Sequence, residues 1–539
     1  MTDDAVCPVL IGGRWRPARN PRRFFRAVDP STGMETAGLY PVSDASDVEE
    51  ALAAGSAAAP GMAEAGPEAP ADFLDAYADG IAARAGEIVA AAHRETGLPE
   101  APRLRDVELP RTIDQLHQAA HAARDRSWCR ATIDTKAGLR SRYEPLGGPV
   151  AVFGPNNFPL AYNSVAGTDF VSAIAAGNPV IAKAHPCHPA VTRILAETAF
   201  ACLERSRLPR AAVQLLYHLP PDVGLALVAD RRLGASAFTG SRPGGLRLKE
   251  AADKAGRPIY LEMSSVNPVF LLPGALRERG EKIAAEMFGS CTAGAGQFCT
   301  KPGLIVLVED EAGRRFFDLI QAAFAGAPAQ VLLGESVLSG IRAALEAMTA
   351  AGADIVAGGR APSGSGFRFE NTLLRASGDA FLRCPRPLQQ EAFGPVSLAV
   401  LVRDGGQMAA VAAALDGNLT TAIFSHSGAD DESLYGELAP ILLTRCGRFL
   451  NDNVPTGVLV SPAMVHGGPY PAAGHPGFTA VGFPAAMVRF AALRSYDRVR
   501  AHRLPPELRD ENPTGTMWRW IDGEMTRGDA AGAAQKSMR

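Results

Sequence analysis

The stretch LGASAFTGSRPGGLRLKEAADKAGRPIYLEM runs from Leu233 to Met263. Its opening, Leu233 to Gly240, is short, apolar and strand-like. Ser241 then has the side chain of a helix N-cap, and Gly256 that of a helix stop. Pro258 to Met263 reads as a second buried strand. The same alternation recurs in GPVAVFG (148–154), NPVIAKAH (178–185), PAVTRILAETAFACLERSR (189–207) and LIVLVE (304–309). Strand and helix in alternation imply an α/β fold with a mainly parallel sheet.

At 539 residues, 47% of them hydrophobic, the chain exceeds one compact core, so two or more domains are expected. Lys and Arg number 54 against 57 Asp and Glu, for a net charge of −3. That is no footprint for nucleic acid. MTDDAVCPVL is acidic where a secretory leader is basic, and no stretch is apolar enough to span a bilayer. The eight cysteines show no CxxC pair, which disfavours disulfides and a zinc site and suits a reducing cytoplasm. Residues 53–71, rich in Ala, Gly and Pro, suggest a helix end followed by a surface loop. Residues 130–145 alternate apolar and polar as an exposed hairpin does, and such a hairpin needs cover, for which self-association is one source.

Several side chains can carry chemistry, and each also has a plain structural reading. Cys299, in AGAGQFCTKPG (293–303), is either a nucleophile or a small core residue in a glycine-rich bend. Glu262 sits in an otherwise apolar strand, so it must be exposed, ion-paired, or shifted in pKa as a general base is. The asparagines of GPNNFPL (154–160) are turn formers, and an Asn amide can also donate to an oxyanion. Lys183 ends a strand and can meet a ribose or a phosphate. Gly240 and Gly245 flank a strand-to-helix turn where a phosphate can approach backbone N–H groups. In EAFGPVS (391–397), Glu391 can accept from hydroxyls and Phe393 can flank a flat ring. The prolines around His185, Cys187 and His188 argue against a metal there, and His466 and His475 read as loop residues rather than ligands.

In this order and spacing the motifs LIGGRW, VDPSTG, GPNNFPL, VIAKAHP, FTGS, LEM, GQFCT and EAFGPV resemble the NAD(P)-dependent aldehyde dehydrogenase superfamily across nearly the whole chain. KAHPCHP, FTGSRPGGLRL, GAGQFCTKPGL, PTGVLVSPAMVHGGPYPA and WRWIDGEMTR look like the branch that oxidises 2-oxoglutarate semialdehyde (2,5-dioxopentanoate). The resemblance implies that Cys299 attacks an aldehyde, that Asn157 and the Cys299 N–H hold the oxyanion, and that Glu262 activates water to release an acid. It implies cofactor contacts from Lys183, His185, Gly240, Ser241, Gly245, Glu391 and Phe393. Phe158, Phe298 and Thr300 would line the substrate path, and no metal is needed. NADP is favoured over NAD, because Pro186 stands where NAD-preferring relatives often carry Glu. Ser264-Ser265 departs from the family's usual glycine and can re-aim the Glu262 segment.

The implied architecture has a Rossmann-like cofactor domain (1–127 and 148–262), a hairpin for oligomerisation (128–147) and an α/β catalytic domain (263–470). Residues 471–527 would return to the cofactor domain, and 528–539 would be a disordered tail. A cytoplasmic homodimer or homotetramer is expected, acting on a small aldehyde and touching neither membrane nor nucleic acid. Competing readings are a dehydrogenase of medium-chain or aromatic aldehydes, a coenzyme A-acylating relative, and a non-catalytic binding protein on the same fold.

Overall fold

A computed structural model of the chain describes residues 5–21 and 23–530. The stretch 233–263 forms the expected unit: strands Ala235–Thr239 and Ile259–Glu262 lie parallel, joined by helix Arg242–Lys254. The Ser241 hydroxyl caps that helix, accepting from the Gly244 N–H at 3.4 Å. Gly256, at φ +65°, ends it in a conformation that costs a residue with a Cβ.

These strands belong to a seven-stranded sheet. Across it run Ile259–Glu262, Ala235–Thr239, Val150–Phe153, Val180–Lys183, Val213–Leu216, Val9–Ile11 and Arg14–Arg16. The first five are parallel and the N-terminal pair is antiparallel. Val150–Phe153 is earliest of the five in the chain, and its successors lie on opposite sides. Strand order therefore reverses at its carboxyl end, where an open α/β sheet leaves a crevice for ligands. GPNNFPL, KAHP and the Gly240 turn all begin at that edge.

A second seven-stranded sheet spans residues 269–451, with every neighbouring pair parallel except Asp354–Ala357 against Thr372–Ser377. Its central strand Leu304–Val308 is buried throughout, as an apolar run between two helical layers must be.

The structure corrects three local expectations. Residues 53–71 are mostly helical, in Ala45–Glu64 and Glu68–Ala83, so the expected loop shrinks to 65–67. The hairpin forms, as Thr132–Asp134 and Leu139–Pro145, but this chain covers both its edges. Ala491–Asp497 pairs on one side, and Arg519–Ile521 followed by Glu524–Thr526 on the other, making five strands. Residues 531–539 of the expected disordered tail lie outside the described residues, but its beginning is packed. The Ala530 N–H donates to the Asp510 carbonyl at 2.9 Å, and Ala530 is buried with Ile133 and Ile521. No helix among the described residues is long and apolar enough to cross a membrane.

Candidate active site

The loop carrying Cys299 follows helix Pro273–Thr292 through three left-handed residues, Gly294, Ala295 and Gly296 (φ +54°, +56° and +65°). A Cβ on Gly296 would sit 2.2 Å from the Gly394 carbonyl oxygen, so glycine lets this loop lie against the loop carrying Glu391. Side-chain amides fix the rest. Gln297 accepts from the Leu333 N–H at 2.7 Å, and the Asn267 amide donates to the carbonyls of Cys299 (2.8 Å) and Lys301 (3.0 Å). The buried Lys301 ammonium donates across to the Ala392 carbonyl at 3.2 Å and to that of Val396. The backbone on both sides of the cysteine is thus held by groups that stay put while the sulfur reacts.

Three predicted site residues come together here. Asn157 is buried and donates through Nδ2 to the Gln297 carbonyl at 3.0 Å, two residues before Cys299. A primary amide has a second N–H to offer. The Cys299 backbone N–H has no protein acceptor among the described residues. Glu262 ends its strand beside them.

The fourth member is one the sequence reading set aside. Residues 466–475 do form a loop, but it packs on the strand that carries Glu262. The Gly474 N–H donates to Leu261 O at 3.0 Å and the Met263 N–H to Ala472 O at 2.8 Å. His466 is thereby delivered into the site, with Nε2 3.1 Å from the Cys299 sulfur and 2.9 Å from Glu262 Oε1. Burial works against charge on this imidazole, but Glu262 and Cys299 outweigh it and hold its pKa well above the ordinary value. An imidazolium between a thiol and a carboxylate is the environment that activates a cysteine. The three donor atoms also lie within 4.8 Å of one another, a spacing a metal ion could bridge, though here His466 is hydrogen-bonded to Cys299 and ion-paired with Glu262.

Cations ring the approach to the sulfur. Arg103 lies over the rings of Phe158 (4.4 Å) and Phe298 (5.2 Å), held by Glu108 at 2.5 Å. The two rings meet edge to face at 5.4 Å. Thr300 is fully buried, with its hydroxyl unpaired among the described residues. Arg111 donates to the Tyr162 hydroxyl at 2.9 Å, and the Tyr162 ring is 6.0 Å from that of His466. Among the described residues, Arg448 donates only to the carbonyls of Gly457 (2.8 Å) and Pro455 (2.6 Å). Both Arg111 and Arg448 interact electrostatically with Cys299, and neither has a carboxylate salt-bridge partner among the described residues.

At the crevice, the half-buried Lys183 ammonium has no hydrogen-bond partner among the described residues, and desolvation pushes its pKa down to about 8. His185 stacks on His188 (5.4 Å), and its pKa is held well below the ordinary value by burial, then by His188, Lys183 and His218. The His218 Nδ1 is buried and unpaired. Burial, then Lys183 and Arg23, push His218 down to about 4. Basic groups that suppress one another's charge, with an orphaned ring nitrogen among them, fit a phosphate-bearing ligand. His188, by contrast, spends both ring nitrogens on Pro155 O (2.9 Å) and Thr192 Oγ1 (3.3 Å).

The turn at Gly240, Ser241 and Gly245 is tighter than its glycines suggested. A Cβ on Gly245 would lie 2.8 Å from the Met263 sulfur, so that glycine makes room for the core as well. Glu391 accepts from the Ser264 hydroxyl and the Ser265 N–H, which oppose the rise in pKa that its burial causes. Ser264, out of pattern in the sequence, therefore holds the carboxylate expected to receive a ribose. Phe393 follows Glu391 in the same loop and is half-buried against the core.

The model of the aldehyde dehydrogenase family matches residues 15–438. The chain is 38% identical over 513 residues to alpha-ketoglutaric semialdehyde dehydrogenase 2 of Azospirillum brasilense, covering 91% of this chain and 94% of that protein. It is 36% identical over 470 residues to alpha-ketoglutaric semialdehyde dehydrogenase of Acinetobacter baylyi, covering 85% and 87%. Among solved structures, PnpE from Pseudomonas sp. WBC-3 superposes with a TM-score of 0.78 at 22% identity, covering 91% of this chain and 97% of that one. Lactaldehyde dehydrogenase from Escherichia coli does so with a TM-score of 0.78 at 20% identity, covering 91% and 98%.

Proposed function

The chain belongs to the aldehyde dehydrogenase family, enzymes that oxidise aldehydes with NAD(P), and we propose that its own substrate is 2-oxoglutarate semialdehyde. The observation that carries the chemistry is the contiguous array of Cys299, His466 and Glu262. The relatives named for alpha-ketoglutaric semialdehyde support the substrate, as do Arg111 and Arg448, two guanidinium groups that feel the charge of Cys299 and have no carboxylate salt-bridge partner among the described residues. A substrate carboxylate is the partner they lack.

In this reading the Cys299 sulfur, as thiolate opposite the His466 imidazolium, bonds to the aldehyde carbon. The oxyanion accepts from Asn157 Nδ2 and the Cys299 N–H. Each such donor typically lowers a barrier by about 3 kcal/mol. The nicotinamide cofactor, when bound, supplies the acceptor for the hydride that leaves this carbon. Cys299 then carries a thioester. Glu262 takes a proton from water as the water oxygen bonds to the thioester carbon, and the acid departs as the thiolate is restored.

Lys183, His185 and His218 would receive the adenosine end of the cofactor, and their unneutralised basicity supports NADP over NAD. The Gly240, Ser241 and Gly245 turn would face the diphosphate, and Glu391 and Phe393 the nicotinamide riboside. Phe158, Phe298 and Thr300 would wall the aldehyde. We assign cofactor binding to the domain of the first sheet and the nucleophile to that of the second, with Asn157 and Glu262 reaching it from the first. The exposed side chains Leu139, Leu493, Trp520 and Met525 on the five-stranded sheet support a homo-oligomer, and the free cysteines suit a cytoplasmic setting. The test is a steady-state panel of 2-oxoglutarate semialdehyde, hexanal and benzaldehyde, each with NADP and NAD. The highest kcat/KM belongs to the carboxylated aldehyde with NADP, and a preference for a neutral aldehyde would overturn the substrate reading.

A further inference from the structure

Cys299, His466 and Glu262 bring a sulfur, an imidazole nitrogen and a carboxylate oxygen within 4.8 Å of one another. Among the described residues no other three His, Cys, Asp or Glu side chains are so placed. The proposed reaction uses each of them separately and needs no metal. As a set, however, they are ligands, and they are held from behind as ligands must be. The Asn267 amide donates to the Cys299 carbonyl at 2.8 Å, the His466 N–H donates to Thr479 O at 2.8 Å, and Glu262 ends a strand of the first sheet.

Zinc is the ion this set selects. It binds thiolate at about 2.3 Å and imidazole or carboxylate at about 2.0–2.2 Å, in a tetrahedron. Those lengths and the tetrahedral angle put neighbouring ligand atoms about 3.3 to 3.6 Å apart. Here Nε2 is 3.1 Å from the sulfur and 2.9 Å from Glu262 Oε1. Admitting the ion parts each pair by roughly half an ångström, which side chains supply by small rotations. Thiolate and carboxylate together cancel the charge of the ion, so no net charge enters a buried place. Magnesium and calcium take oxygen ligands, and a thiolate with an imidazole does not suit them. Three protein ligands leave the fourth position to water. A cavity of about 30 Å³ adjoins Glu262 and His466, walled also by Tyr162, Thr168 and Thr479, and has room for that water.

We propose that the three residues form an inhibitory zinc site: one zinc ion is held by Cys299 Sγ, His466 Nε2 and the Glu262 carboxylate, with water in the fourth position, and turnover stops while it stays. The sulfur lone pair that attacks the aldehyde is committed to the Zn–S bond. The carboxylate that takes a proton from water is committed to the ion as well. Protons displaced from the ligands pass to solvent. No bond to carbon forms and nothing is oxidised or reduced, so a chelator restores the enzyme. The ion competes with the aldehyde and leaves the crevice at Lys183 free.

Inhibition rests on Cys299 as the nucleophile and binding does not, so each has its own readout. Full-length wild type, Cys299→Ala, His466→Ala, Glu262→Gln and Cys384→Ala, which removes an exposed thiol, are dialysed against zinc buffered by a chelator. Elemental mass spectrometry reads the bound metal, and circular dichroism checks each fold. Wild type and Cys384→Ala are expected to hold one zinc per chain. Cys299→Ala, His466→Ala and Glu262→Gln should each lose at least about tenfold in affinity, the least that a residue merely supporting a metal ligand is worth. Cobalt in place of zinc should give a thiolate charge-transfer band in wild type and none in Cys299→Ala. If His466→Ala does not fold, His466→Gln takes its place under the same criteria. Oxidation of 2-oxoglutarate semialdehyde by the wild type should fall as zinc occupancy rises and return in full with excess chelator. Zinc held as tightly by His466→Ala and Glu262→Gln as by wild type, or bound without defined stoichiometry, overturns the site. One zinc on all three ligands with turnover undiminished overturns the inhibition instead, because Cys299 is then not the nucleophile.

Discussion

The Nε2 atom of His466 lies 3.1 Å from the sulfur of Cys299, across 167 residues of sequence. The same nitrogen is 2.9 Å from Glu262 Oε1, so the imidazole faces the nucleophile and the carboxylate at once. An imidazole in that place is within hydrogen-bond reach of the sulfur and can take up its proton as the sulfur attacks.

Replacing His466 by Phe should therefore cost about 10² to 10³ in kcat/KM, within the range of a lost acid–base partner. Iodoacetamide isolates the effect from turnover. At pH 6 it should alkylate Cys299 at least tenfold faster in the wild type than in His466→Phe. Equal rates would remove His466 from the activation of the thiol.

Asn157→Ala deletes one proposed oxyanion donor along with its bond to the Gln297 carbonyl. A loss of about 10² to 10³ in kcat is expected, with KM for the aldehyde little changed. Far-ultraviolet circular dichroism and the melting temperature check that the loop survives. A rise in KM alone would mean that Asn157 positions substrate and does not hold the oxyanion.

Arg111→Met and Arg448→Met test the carboxylate anchor. A hydrogen bond to a charged partner is worth about 1.5–3 kcal/mol, so KM for 2-oxoglutarate semialdehyde should rise roughly 10- to 100-fold. Oxidation of hexanal, which has no carboxylate, should stay within about twofold. Equal losses for both aldehydes would make the two arginines structural.

The crevice should be sensitive to pH. Lys183 has its pKa lowered to about 8, so it is charged below that pH and neutral above it in the free protein. Binding of adenosine 2′,5′-bisphosphate, measured by calorimetry, should weaken as pH rises through 8, while 5′-AMP binding stays nearly flat. Lys183→Met should bind the two ligands alike at every pH. A wild-type ratio that does not move with pH would take Lys183 away from the 2′-phosphate.

Ser264→Gly frees Glu391 from the hydroxyl that now occupies it. Cofactor affinity, read by quenching of intrinsic fluorescence, should rise severalfold. Weaker binding would show that Ser264 orders the carboxylate for its ligand instead of competing for it.

Much of this was legible in the chain because the signals were local. The stretch 233–263 announced strand, capped helix and strand within its own length, and each formed where its residues placed it. Asn157, Glu262 and Cys299 could be singled out because each sits in a short motif next to a strand or a bend. His466 could not. Its neighbours are Gly and Pro, and only the docking of residues 472–474 on the edge of the Glu262 strand turns it inwards. The hairpin was legible as a hairpin but not in its pairing. Its alternation was correct, but alternation says nothing of which strand covers an edge, and here residues 491–526 of the same chain supply the cover.

The central claim is that Cys299 carries the acyl group and Glu262 releases it. Glu262→Gln should stall after hydride transfer. The measurement is intact-protein and peptide mass spectrometry of that variant after mixing with NADP and 2-oxoglutarate semialdehyde. The expected result is one acyl adduct per chain, confined to the peptide containing Cys299 and absent from Cys299→Ala. An adduct on another residue, or normal turnover with no adduct, would contradict the account.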